Sequence, residues 1–116
     1  MTQNGWHTIR EEACTTVARR LPVRFDVSVS AQFPTVSKTR LAQQIRQDMW
    51  RSLQNVRGFL PIVRVEEDTQ GLKVTAGGQM PRPIAANIEL KIENLLNDAP
   101  RRARWIACAS KRQVAI

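Results

Sequence analysis

At 116 residues the chain suits one hydrophobic core and is too short for two independent ones. Its 42% hydrophobic and 24% charged residues exclude wholesale disorder, and they match the composition of an ordinary soluble domain. The formal net charge is +8, unevenly spread: residues 1–36 carry +1, 37–57 carry +4, 58–98 carry −2 and 99–116 carry +5. Fourteen of the eighteen cations are arginine, which suits bidentate contacts to phosphate or carboxylate, although a GC-rich genome also favours arginine codons.

Thr8-Ile9-Arg10-Glu11 matches a capping box, so a helix is expected over about 9–20, with Ile9, Ala13 and Val17 repeating every four residues. Residues 1–20 are expected to be an N-terminal arm or helix, 21–112 a single α/β domain, and 113–116 a frayed C-terminus. From Pro22 the period becomes two. Val23, Phe25, Val27 and Val29 alternate with Arg24, Asp26, Ser28 and Ser30, predicting a strand with one buried face. Ser37 caps a predicted helix to about Arg57, whose apolar side is Leu41, Ala42, Ile45, Met49, Leu53 and Val56, with Gly58 as its stop.

Pro61 to Glu67 and Leu72 to Ala76 read as a β-hairpin around Gly71. Gly77-Gly78-Gln79-Met80-Pro81-Arg82-Pro83 is expected to break regular structure. A helix from near Pro83 to about Asn97 carries Ile84, Ala85, Ile88, Ile92, Leu95 and Leu96 on its inner side, leaving Leu90 opposite. Asp98 caps a last helix, anchored by Trp105, Ile106 and Ala109 and ending near Lys111.

The expected fold is a two-layer α/β (α+β) domain. It has a three-stranded mixed sheet (β-α-β-β-α core), helices on one face and an extra N-terminal helix. A crossover from the first strand through the helix over 37–57 would set that strand parallel to a hairpin strand. Open sheet edges would offer a route to a homodimer.

Catalytic chemistry has little to rest on. His7 is the one histidine and falls in the N-terminal arm, while Glu66, Glu67 and Asp68 sit on a hairpin turn, where carboxylates are ordinarily solvated. Gly77-Gly78 lacks the remainder of a phosphate-cradling motif. Cys14 and Cys108 have no C-x-x-C spacing, so two free thiols are expected. The reading is therefore a non-enzyme that acts by binding, with no cofactor, no metal site and no small-molecule substrate in view. No apolar stretch approaches the about 20 residues of a membrane span, and Met1-Thr2-Gln3-Asn4 lacks the regions of a signal peptide, so a cytoplasmic location away from membranes is expected.

Nucleic acid is the first-choice partner. Arg40, Gln44, Gln47 and Arg51 stand in one row on their helix, and Arg46 adds a further cation. Arg101, Arg102, Arg104, Lys111 and Arg112 form a second basic segment, with Trp105 placed either to stack on a base or to pin the last helix to the core. The alternative is a protein-interaction or assembly subunit using a sheet edge and the surface around Trp50 and Leu90.

The run from Leu41-Ala42-Gln43-Gln44-Ile45-Arg46 to Arg51, with Gly58-Phe59, Pro61-Ile62-Val63-Arg64-Val65 and Ala76-Gly77-Gly78, resembles a group of small alphaproteobacterial proteins of unknown function. The resemblance covers about residues 21–109. It implies one domain and a bacterial origin, and it carries over no activity and no site residues.

Overall fold

The computed structural model describes residues 2–3 and 5–110. Strands β1 (Thr2–Gln3), β2 (Trp6–Arg10), β3 (Cys14–Ala18) and β4 (Val27–Phe33) lead into helix α1 (Lys38–Leu53). Strands β5 (Leu60–Asp68) and β6 (Gly71–Gln79) follow, then helices α2 (Ala86–Leu96) and α3 (Ala99–Ser110). The order across the sheet is β1-β2-β3-β5-β6-β4. Among the described residues every pairing is antiparallel, with five full strands and the two-residue β1 at one margin. The fold is α+β, and the expected three-stranded mixed sheet with an N-terminal helix is corrected on both counts.

The predicted helix over 9–20 is the β2–β3 hairpin. Glu11 and Cys14 close a two-residue turn, the Glu11 amide donating to the Cys14 carbonyl at 2.7 Å. Three threonines, Ile9 and Val17 favour a pleated surface over a helix, and Thr15, Thr16, Val17 and Ala18 are all buried there. The four-residue spacing of Ile9, Ala13 and Val17 is a coincidence: Ile9 is opposite Thr16 and Val17 opposite Thr8, so Ile9 and Val17 face opposite sides of the sheet. The segment is also no detached arm, because β3 pairs with β5 inside the sheet.

The predicted strand from Pro22 begins later and ends later, at Val27–Phe33. Its expected parallel pairing is absent, since β4 bonds antiparallel to β6. The direction was nevertheless legible. Two antiparallel steps make β4 parallel to β5, and the hairpin strand β6 occupies the gap between them.

Val23 and Phe25 precede β4, in the connection that crosses the helix-free face of the sheet. On that face the Gln79 side chain donates to the Pro22 carbonyl at 3.0 Å, and the Arg64 guanidinium lies 5.5 Å from the centre of the Phe25 ring. Phe25 therefore leaves the phase it shares with the inward valines. The Gly77-Gly78 pair, expected to end regular structure, lies inside β6 between β4 and β5. A Cβ on Gly77 would stand 1.9 Å from the Val27 carbonyl oxygen, and one on Gly78 2.3 Å from that of Leu60. The neighbouring backbones come too close for any side chain there.

The opposite face holds the core. By register Val17, Val63, Val65, Val74, Ala76, Leu72 and Phe33 share this side, and all are buried. Leu41, Ile45 and Met49 of α1 are fully covered against it, each contributing about 1.5–3 kcal/mol relative to exposure. Ser37 caps α1 as expected, its hydroxyl accepting from the Arg40 amide at 3.3 Å. The helix stops at Leu53, short of Arg57, and Gly58 lies in the turns beyond it with φ +74°. Ile88, Ile92, Leu95 and Leu96 are the buried side of α2. Asp98 caps α3, accepting from the Arg101 amide at 3.1 Å. The expected end near Lys111, the cations Lys111 and Arg112 and the frayed residues 113–116 lie outside the described residues. Among the described residues no helix is long and apolar enough to cross a membrane.

Candidate functional site

Asp48 is the one acidic residue in the segment 37–57, and α1 turns it inward toward α3. Its Oδ2 accepts the Trp105 indole N–H at 2.7 Å and is also the partner of the Arg104 guanidinium. Its Oδ1 faces Arg51 at 3.6 Å. The carboxylate is buried, whereas Arg51 and Arg104 keep 71% and 56% of their side chains exposed. One buried anion thus holds two outward-reaching arginines, one from each helix, on a common ridge.

That ridge gathers part of the expected site. Arg40, Gln44 and Gln47 are half-buried along the same row of α1 as the exposed Arg51. Arg101 stands one turn before Trp105 and lies 3.6 Å from its own cap, Asp98. Beside it, between the end of α1, α2 and the first turn of α3, is an open cavity of about 280 Å³ whose lining includes Ser52, Lys91, Asn94, Asp98 and Arg101.

Three expected residues go elsewhere. Trp105 is fully buried and bonded to Asp48, so it pins α3 and presents no face to a base. Arg102 turns toward β4, donating to the Gln32 carbonyl at 2.7 Å and the Leu96 carbonyl at 3.2 Å, with its guanidinium 3.9 Å from the Phe33 ring centre. It is a brace between α2, α3 and the sheet margin. Arg46 leaves α1 on the flank away from Asp48 and packs on Trp6, 4.7 Å from the ring centre.

Of the two residues considered for a protein interface, Trp50 is half-buried and stands edge-on to Trp6, ring centres 5.9 Å apart and planes at 86°. Leu90 is 56% exposed on the outer side of α2. Arg19, just past β3, completes the aromatic cluster at 5.2 Å from Trp6 and 5.4 Å from Trp50. Burial, and then the adjacent Arg19 charge, pull the Arg46 guanidinium below its usual pKa.

Sequence reasoning missed Asp48, Trp6 and Arg19. The lone carboxylate on the margin of an apolar stripe, in an otherwise cationic segment, was the available signal for Asp48. Nothing local signals the Trp6–Arg19 cluster, which depends on a hairpin read as a helix. Cys14 and Cys108 are both free. Among the described residues no three histidine, cysteine or acidic side chains are grouped to hold a metal ion. Comparison with protein-family models, with curated proteins and with solved structures finds no match to this chain.

Proposed function

We propose that the protein is a non-catalytic nucleic-acid-binding domain that engages the phosphate backbone with the ridge shared by α1 and α3. The supporting observation is the Asp48 clamp, which brings the two most basic segments of the chain side by side and leaves Arg51 and Arg104 facing outward. Arg40, Arg51, Arg101 and Arg104 are the phosphate contacts in this reading, with Gln44 and Gln47 as secondary polar contacts. With Trp105 buried, affinity rests on charge and little on base stacking, so weak sequence preference and strong salt dependence follow.

Binding of labelled single- and double-stranded DNA and RNA across a salt series tests it. The Arg40→Ala/Arg51→Ala/Arg101→Ala variant leaves Asp48 with Trp105 and Arg104, so the fold persists. Loss of three phosphate contacts would make the log–log salt slope shallower by about 2–3. A control variant, Arg24→Ala/Arg82→Ala, should keep the wild-type slope. No binding at physiological salt, or equal slopes for the two variants, would sink the proposal.

The alternative of an assembly subunit draws support from β4, a margin strand bonded among the described residues only to β6, and from the exposed Leu90. Sedimentation analysis with Leu90→Glu and Ala31→Pro variants separates it: a dimer that either substitution dissociates favours assembly.

A further inference from the structure

The cavity beside Arg101 is lined from two sides. Lys91, Asn94, Leu95 and Asp98 follow one another at the spacing of a single helical face, so α2 and the cap of α3 supply one side, and Ser52 and Leu53 at the end of α1 supply the other. Leu53 and Leu95 are the buried part of this lining, while Ser52, Lys91 and Asn94 are exposed. Among the described residues none of those three exposed side chains has a hydrogen-bond or ion-pair partner. Asp98 turns its Oδ2 to the Arg101 backbone N–H at 3.1 Å and to the Arg101 guanidinium at 3.6 Å. Its Oδ1 has no partner among the described residues.

We propose that this cavity takes one unstacked base of a single-stranded nucleic acid whose phosphates lie on the α1–α3 ridge. The inference rests on the phosphate-binding reading of that ridge, and adds to it the strandedness of the partner and a place of base contact. At ~30 Å³ per water, a volume of about 280 Å³ holds about nine, which is the scale of a single nucleobase. Charge separates a base from a free anion. Asp98 and Arg101 offset each other, so Lys91 is the one unpaired cation among the described lining residues, and it matches the single charge of the adjoining phosphodiester. A phosphate monoester would bring close to two charges and meet the Asp98 carboxylate. A base is neutral and carries donors and acceptors together on its edge. The Asn94 amide and the Ser52 hydroxyl each offer both, and Asp98 Oδ1 accepts. The two leucines supply apolar surface for the ring. Bases stacked inside a duplex do not reach such a cavity without being flipped out, so the strand is single. One base per site leaves most of the affinity with the phosphates.

The test compares the binding of the whole chain to two single strands of equal length: a mixed-sequence DNA, and one of abasic sugars that keeps every phosphate. Wild type should bind the base-bearing strand more tightly by about fivefold or more, the low end of what one correctly met base contributes. Asn94→Leu removes the amide and fills the space, and leucine at an exposed helical position preserves α2. This variant should bind both strands alike, with the wild-type salt slope, because no phosphate contact is lost. If Asn94→Leu lowers Tm, Ser52→Ala carries the comparison.

Equal affinity of wild type for the two strands overturns the inference and leaves the ridge reading standing. A preference for bases that survives both Asn94→Leu and Ser52→Ala places base contact elsewhere and overturns it as well. Failure to bind either strand at physiological salt sinks the ridge reading, and this inference with it.

Discussion

Replacing Asp48 with alanine removes the acceptor of the Trp105 indole and strands that N–H in a fully buried site. An unsatisfied buried donor costs about 1–3 kcal/mol. The two arginines add less: both are more than half exposed and regain water when the carboxylate goes, so together they contribute about 0–1 kcal/mol. Asp48→Ala should therefore lose about 1–4 kcal/mol, or about 4–16 °C in Tm for a domain of this size. Asp48→Asn keeps a carbonyl oxygen for the indole and should lose only about 1 kcal/mol.

Urea denaturation followed by tryptophan fluorescence and by circular dichroism measures both, and a cycle with Trp105→Phe isolates the hydrogen bond. A coupling of about 1–2 kcal/mol between positions 48 and 105 is expected. If Asn proves as damaging as Ala, the negative charge and not the acceptor is what holds α3. If neither substitution costs as much as about 1 kcal/mol, Asp48 is no clamp and the ridge loses its organising residue.

Two further outcomes follow from the same geometry. Gly77→Ala places a methyl carbon 1.9 Å from the Val27 carbonyl oxygen, and relief requires parting β6 from β4. It should cost more than about 3 kcal/mol, read as loss of a cooperative thermal transition or of folded yield. Asp26 is held below the ordinary aspartate pKa, first by the Met80 backbone N–H at 3.0 Å and also by Arg24. A depressed folded pKa gives stability that is fully present above the unfolded value of about 3.9 and is lost as pH falls through the folded one. Tm measured between about pH 2 and 6 should thus fall less steeply at the acid end for Asp26→Asn than for wild type.

Legibility in the sequence followed the locality of the cause. The α1 stripe from Leu41 to Leu53 and its Ser37 cap declare themselves within one helix, and the β5–β6 hairpin is marked by the polar turn before Gly71. The β2–β3 hairpin was hidden because Glu12 and Ala13 form its turn, residues that favour helices and carry no glycine signal. Phe25 continues the valine alternation on paper, yet the chain is there crossing the sheet, a route dictated by where β3 ends and β4 must begin.

The candidate site divides in the same way. The row Arg40, Gln44, Gln47 and Arg51 is a matter of helical period, so it was readable. Trp105 was readable as an anchor of α3 but its partner was not, because Asp48 lies 57 positions away, and Arg102 was diverted by a carbonyl 70 positions away.

The placing of β6 between β4 and β5 sets the order in which the molecule can be completed. Synthesis runs from the N-terminus, so the β2–β3 hairpin can recruit β5 as soon as that strand emerges. Strand β4, made earlier than β5, has no strand to bond until β6 follows, because among the described residues β6 is its only neighbour. Any fragment ending before Gly71 therefore divides into a three-stranded piece and an orphan strand joined through α1. The sheet closes from its middle, with the last strand made serving as the bridge.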